Sequence, residues 1–418
     1  MRMFLLISLL SLVCGASALI IFAGGLPEAP AGFDGATNGA TSQGDMDAAR
    51  DVFTEIETPQ VGLGPVYNDV SCVACHQNQA VGGASQTLEF RAGHYDGGRQ
   101  SWRRDVRHRF DTNGSSGTYV AATAVLANGM LIPNRSLINQ RATCAAAQEH
   151  LTNADNIRAG RLSLPIFGDG FVEAVPDATL LALAKQNGGE AIQVPVVEMN
   201  GVTAIGRFGW KDQHASLLSF AGDAYVNEMG VTNSLFQDES VTGVCAPQTQ
   251  LNDTQGDINQ FATFMRSLKV PPRNLPTDAT ALSDVAAGQA VFEKIGCATC
   301  HTETMVTAPT GTSILGGSLI VPAAIGGKQF HPFSDFLLHD IGTGDGIVQN
   351  GPDDTANKLR TMPLWGLSTR TQLMHDAGSA TFTEAIERHK REATAAERKF
   401  DRLADTERIL LFAFLGSL

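Results

Sequence analysis

Flat side chains are scarce in this sequence. Aromatic residues make up 7% of its 418 residues, with three tryptophans and four tyrosines. A core of this size must then be filled by Ala, Leu and Val, or completed by a large flat cofactor. Positive charge is short as well: 30 Lys and Arg against 43 Asp and Glu give a formal net charge of −13. Phosphate binding needs a concentrated basic surface, so nucleic acid is excluded as a partner. The single basic stretch, residues 99–109 (RQSWRRDVRHR), reads as a solvated face or one that pairs with carboxylates.

One long apolar run is present, at the N-terminus. Arg2 precedes it, and the small residues Ala16, Ser17 and Ala18 follow, which is the pattern of an export signal. The run continues through Leu19–Phe22 and, at about 20 residues, is long enough to remain as an uncleaved anchor. Cleavage near Ala18 is the preferred reading. Residues 1–24 are therefore a signal peptide or anchor, the expected location is the periplasm, and membrane contact is expected only through this segment. Cys14 does not read as a lipidation site, because bulky Val13 stands where a small residue is usual.

Seven cysteines are present. Cys14 lies in the leader and four lie in two Cys-x-x-Cys-His motifs, at Cys72, Cys75 and His76 and at Cys297, Cys300 and His301. Cys144 and Cys245 are left over. In an oxidising compartment two spare thiols form a candidate disulfide, the alternative being two buried unpaired thiols. In each motif the two thiols are spaced to add across the vinyl groups of a haem, and the adjacent His lies under the ring to ligate iron. A zinc or thioredoxin-like pair is disfavoured, because both pairs are followed directly by His and neither sits in a βαβ pattern. Two covalently bound haem c groups are expected.

The organisation follows these motifs. Residues 25–44, rich in Gly, Ala, Pro and Ser, read as a flexible tether. A helix is expected from about Asp45, with Ala48, Val52, Phe53 and Ile56 as its apolar stripe. Residues 45–268 form an N-terminal cytochrome c-like haem domain with a large insertion, 269–284 a Pro-rich linker, and 285–418 a C-terminal cytochrome c-like haem domain. The strings AARDVFTEI and AGQAVFEKI before the two motifs form a weak internal repeat. Thr381 and Glu384 form a capping-box pattern, and a last apolar helix closes the chain. The middle of the chain reads as helices and loops, with one short hairpin at Asn200-Gly201. The expected fold is mainly α, with two cytochrome c-like domains packed together, long loops and little β.

Function turns on the sixth ligand of each iron: a filled position favours electron transfer, an open one lets peroxide or oxygen bind. His389, on the C-terminal helical segment beside Ala385 and Ile386, is the candidate for the second haem, with Met362 and Met374 as rivals.

The ordered strings GPVYNDVSCVACHQNQAVGG, LPIFGDGFVEAVPD, GRFGWK, FSDFLLHDIG, TMPLWGLSTRTQLMHDAG and TFTEAIERHKREA resemble those of the di-haem oxidoreductases. These peroxidase-like proteins, also called predicted thiol oxidoreductases, are related to bacterial di-haem cytochrome c peroxidases and to the MauG enzymes. The resemblance spans about residues 45–418 and is more specific for the family than for the reaction. It implies that His76 is the proximal ligand of a peroxide-reactive haem and His301 that of an electron-entry haem. The relatives' sixth ligand on the second haem falls near His389, where cytochrome c peroxidases carry Met and MauG carries Tyr. A His there implies a lower potential and sets the chain apart from a simple peroxidase. Glu173, in the apolar string FGDGFVEAV, is the expected proton-transferring acid over the first haem, the alternative being a structural partner of Arg161 or Arg207. His94 is a candidate displaceable distal ligand, and Trp102 and Trp210 are candidates for the electron path. Calcium between the domains is a feature of the relatives, with the acidic loop at 339–354 as a candidate place for it and a polar surface loop as the favoured reading. The implied function is reduction of peroxide, or its use to oxidise a substrate, at the first haem, with electrons from a small redox protein entering through the second. The alternative is an electron-transfer cytochrome without turnover.

Overall fold

The computed structural model describes residues 25–96, 118–238, 241, 243–245, 251–349 and 351–418. Trp102 and the leader therefore lie outside the described residues. Among those described, no helix is long and apolar enough to cross a membrane.

The expectation of a mainly α fold is overturned. Helix makes up 32% and strand 17% of the structure. The strand is concentrated in a five-stranded antiparallel sheet inserted after the first motif. It comprises β1 (Leu88–Asp96), β2 (Thr118–Leu126), β3 (Leu131–Arg135), β4 (Glu149–His150) and β5 (Ile157–Leu162), in the order β3-β2-β1-β5, with β4 on the far end of β2. The local reason is visible in β2: Ala122, Ala124 and Leu126 are buried at a period of two, with β-branched residues among them. Asn128 and Gly129 turn β2 into β3, Gly129 having φ +90. A second, small hairpin pairs β6 (Gln193–Pro195) with β7 (Thr203–Ile205) around the expected Asn200-Gly201 turn.

The helices pack as two main pairs. In the N-terminal half, α1 (Gln43–Thr54) packs on α5 (Asp257–Ser267), with α2 (Asp169–Glu173), α3 (Asp177–Asn187) and α4 (Leu217–Met229) between them in sequence. The Ser42 side chain caps α1. Its buried stripe is Met46, Ala49 and Phe53, and Ile56 is exposed beyond the helix end. In the C-terminal half, α6 (Ala279–Ile295) packs on the terminal α9 (Asp405–Leu415), with α7 (Phe382–Glu387) and α8 (Thr394–Asp401) alongside. The α6–α9 crossing is close: a Cβ at Gly288 would sit 2.0 Å from the Leu410 carbonyl oxygen. The α7 capping box at Thr381 and Glu384 is present. Asp278 caps α6, so this helix takes up the last residues of the expected linker.

Residues 25–44 are not a loose tether. Ala29 donates its amide to Gln329, Gly32 donates to Val270, and buried Asn38 gives its side-chain amide to the carbonyls of Arg266 and Leu268. The segment is a strap laid along both halves. Cys144 and Cys245 are joined as a disulfide, their Cα atoms 5.7 Å apart.

Candidate haem sites

Each Cys-x-x-Cys-His motif begins with a single 3-10 turn, at Cys72–Ala74 and at Cys297–Thr299. The amides of His76 and His301 each close back on the first cysteine carbonyl at 3.0 Å. Phe53 on α1 lies 6.2 Å from the His76 ring, and Phe292 on α6 lies 6.2 Å from the His301 ring. These phenylalanines are the matched residues of AARDVFTEI and AGQAVFEKI, so the weak repeat is a repeat in space.

At the second site the rings of His301 and His389 face each other with centroids 6.5 Å apart. Two metal–nitrogen bonds of about 2 Å, with about 1 Å from each nitrogen to its ring centre, require about 6 Å between imidazoles that share one metal. The spacing meets that requirement. His301 Nδ1 donates to the Phe333 carbonyl (2.9 Å) and His389 Nδ1 to the Ala385 carbonyl (2.8 Å), so each Nε2 keeps its lone pair for a metal. Burial pushes the His301 imidazole down to about 4, helped by the neighbouring His389, and burial lowers His389 as well. Both rings are therefore neutral near pH 7.

Beside this site Cys300, Asp335 and His339 gather ligand atoms within 4.8 Å of one another. His339 is clamped between Asp335 (3.0 Å) and Glu392 (2.8 Å), with Cys300 Sγ at 3.7 Å. Burial opposes its charge, but the Asp335 hydrogen bond and the Cys300 sulfur outweigh burial and hold it up at about 11. The trio is held together by these hydrogen bonds and ion pairs.

His76 opens instead onto a cavity of about 420 Å³. Its size is that of a cofactor site. Phe53, Phe208, Phe220, Phe261 and Met265 give it apolar walls, and the thiols of Cys72 and Cys75 lie on its surface. The sheet supplies a polar wall. Glu89 and Arg91 alternate on β1, and Arg161 on β5 stands directly across from Glu89. Helix α4 supplies Ala221, Ala224, Tyr225 and Glu228 at helical spacing. Arg360 reaches the cavity from the C-terminal half. Burial, opposed in part by nearby backbone carbonyls, pushes His76 down to about 4. No second histidine lines the cavity among the described residues. A porphyrin fits this set of flat apolar walls, paired thiols and one imidazole.

Glu173 is not the cavity acid. It is fully buried, and its carboxylate takes a two-pronged ion pair from Arg266 (2.7 and 2.9 Å) and the Leu217 amide (2.8 Å). Its role is to tie α2 to α4 and α5, with Arg266 in the place expected for Arg161 or Arg207. The cavity acids are Asp69, Glu89, Asp169, Asp223 and Glu228. Burial, with the like charge of Glu89, pushes Glu228 up to about 8, while Arg91 outweighs burial to keep Glu89 low. Asn68 donates to Glu228 Oε2 at 2.6 Å. Burial also pushes Asp169 up to about 7. The sequence held a weak signal for Glu228: an acid one turn beyond Ala224 on the helix that also carries Asp223 to the cavity.

His94 alternates to the sheet face opposite Glu89 and Arg91, does not line the cavity, and lies 3.4 Å from Asp155. Trp210 does line it, donating Nε1 to the Leu162 carbonyl (2.7 Å) with its ring edge-on to His375. The acidic loop offers no calcium cluster among the described residues. Its buried acid, Asp345, is spent on Arg161 (2.6 Å) and Lys211 (3.2 Å).

A family model described as "Di-haem oxidoreductase, putative peroxidase" matches residues 138–418. The chain belongs to the di-haem oxidoreductase family. Membership implies two haems. The second motif and His389 lie inside the matched span, and the first motif lies before it. Five chains of known structure match. One is the hydrazine synthase of Kuenenia stuttgartiensis, at 13% identity over 94% of this chain and 90% of that one. Its TM-score of 0.39 is too low to carry any argument about this member of the family. No curated protein matches.

Proposed function

We propose that this di-haem oxidoreductase is an exported, periplasmic enzyme that attaches one haem at Cys72 and Cys75 and a second at Cys297 and Cys300. His301 and His389 would hold the second haem, which would supply electron transfer. His76 would hold the first, which would supply reduction of peroxide, or its use to oxidise a substrate, with electrons from a small redox protein entering through the second. The observation that carries this reading is the asymmetry of the two sites. One proximal histidine meets a second imidazole at 6.5 Å, and the other opens onto a cavity with protonatable acids.

Haem iron supplies the electron transfer and the O–O bond chemistry. The protein supplies protons and exclusion of water. Reducing one peroxide to two waters takes two protons and two electrons. Glu228 holds a proton at neutral pH, with Asn68 fixing its Oε2 and ionised Glu89 beside it to accept or return that proton. Phe208 and Phe220 wall the cavity, and Trp210 bridges it towards His375 in the C-terminal half.

Absorption spectra of the purified holoprotein test this. Two covalent haems per chain are expected, one high-spin when oxidised and altered by added peroxide. His389→Ala should open the second iron and convert its low-spin signal to high-spin. Two low-spin haems inert to peroxide, before and after half-reduction, would make the chain an electron carrier and end the enzymatic reading.

A further inference from the structure

Two buried guanidinium groups on the wall of the first cavity each carry a nitrogen without a hydrogen-bond acceptor. Arg161 is 1% exposed and Arg360 6%. Arg161 gives Nε to Asp345 (2.6 Å) and Nη1 to Gln349, and its Nη2 has no acceptor. Arg360 gives Nη1 to the Arg207 carbonyl (2.8 Å), and its Nε forms a long ion pair with buried Asp212 (3.9 Å) but has no hydrogen-bond acceptor. The third cavity cation is different. Arg91 spends Nε and Nη2 on Glu89 at 2.9 Å each, and Nη1 on Ser136.

A buried charged donor left unpaired carries a large desolvation penalty, so its partner is expected in the assembled protein. Two such donors on one cavity wall call for an anion inside that cavity. A porphyrin tethered through its vinyl groups brings two propionate carboxylates into the same space. Arg91 and Glu89 already neutralise each other, so Arg91 does not compete for the propionates. We infer that Arg161 and Arg360 bind the propionate carboxylates of the first haem, a guanidinium fork matching a carboxylate. The inference rests on the reading that Cys72, Cys75 and His76 hold that haem. Arg360 belongs to the half that carries the second motif, so this contact joins the two halves through the cofactor's polar edge.

The test uses the holoprotein and its Arg161→Gln and Arg360→Gln variants, with Arg→Lys at both positions as the conservative pair. Covalent haem is counted first, because the thioether links survive loss of a propionate contact. Each haem is then titrated spectroelectrochemically, and the propionate bending band of the first haem is read by resonance Raman. Each Gln variant is expected to lower the first-haem redox equilibrium constant about tenfold, a fall of about 59 mV for one electron, with the second haem unmoved. The Lys variants keep the charge and lose the fork, so the Raman band moves with a smaller change in potential. If the Gln variants do not accumulate, the Lys variants give the Raman readout alone. Two haems with an unchanged first-haem potential and band would overturn the inference and leave the proposed function standing. A wild-type chain with a single haem, absent from Cys72 and Cys75, would overturn both.

Discussion

The acids show how far a residue type in an apolar setting can be trusted without its neighbours. Glu173 and Glu228 both sit among hydrophobic residues, and only Glu228 faces the cavity. The difference is Arg266, 93 residues away in sequence, which no local pattern links to Glu173. Glu173→Ala should therefore cost about 3–5 kcal/mol of stability, because it strands a largely buried guanidinium. Denaturant unfolding should show that loss, while both haem spectra in the folded protein stay as they are. Glu228→Gln should do the reverse, cutting peroxide turnover about a hundred- to ten-thousand-fold with little loss of stability. The sign of the pH dependence follows from the raised acid. The proton is present below about pH 8 and lost above it, so wild-type turnover should fall as pH rises through that value. In the Gln variant that alkaline limb should be absent from the rate profile. Cysteine and histidine were far more legible, because the haem motif is local and its chemistry needs that spacing. His389 was legible only as a candidate, since its ring lies opposite a residue 88 positions earlier.

Helices declared themselves through their ends, and strands did not. Thr381 with Glu384 marks α7, as expected. Of the expected α1 stripe, Phe53 is buried and Val52 packs against the core, but Met46 and Ala49 replace exposed Ala48, and Ile56 falls outside because the helix stops at Thr54. The sheet escaped notice because small alanines fill its buried positions, giving alternation without an obvious apolar signal. Asn128-Gly129 offered the same hairpin cue as Asn200-Gly201, and the two turns hold very different sheets. At the α6–α9 crossing, Gly288→Val should force the helices apart, costing about 1–3 kcal/mol or more. Phe292 and Phe414 pack across that junction with ring centroids 5.2 Å apart, so the low-spin spectrum of the second haem should melt at lower temperature.

Across the whole molecule, links join segments that lie far apart in the chain. The Cys144–Cys245 bridge closes a loop of 101 residues, for which chain entropy predicts about 4–5 kcal/mol of stabilisation. Cys144→Ser or Cys245→Ser should lower the unfolding free energy by an amount of that order, and a reductant should destabilise the parent but not the variants. The division at residues 269–284 was drawn from composition. The structure runs a strap, a buried arginine and an acidic loop across it, and these contacts make each half part of the other's surroundings.

The strap has a consequence for how the molecule is made. Gln329 donates a hydrogen bond to Glu28, which a ribosome releases 301 residues before it. Gly32 and Asn38 can settle on residues 266–270 as soon as these emerge, but the Glu28 end must wait for Gln329. Closure of the strap then follows chain order, from its middle back to its beginning.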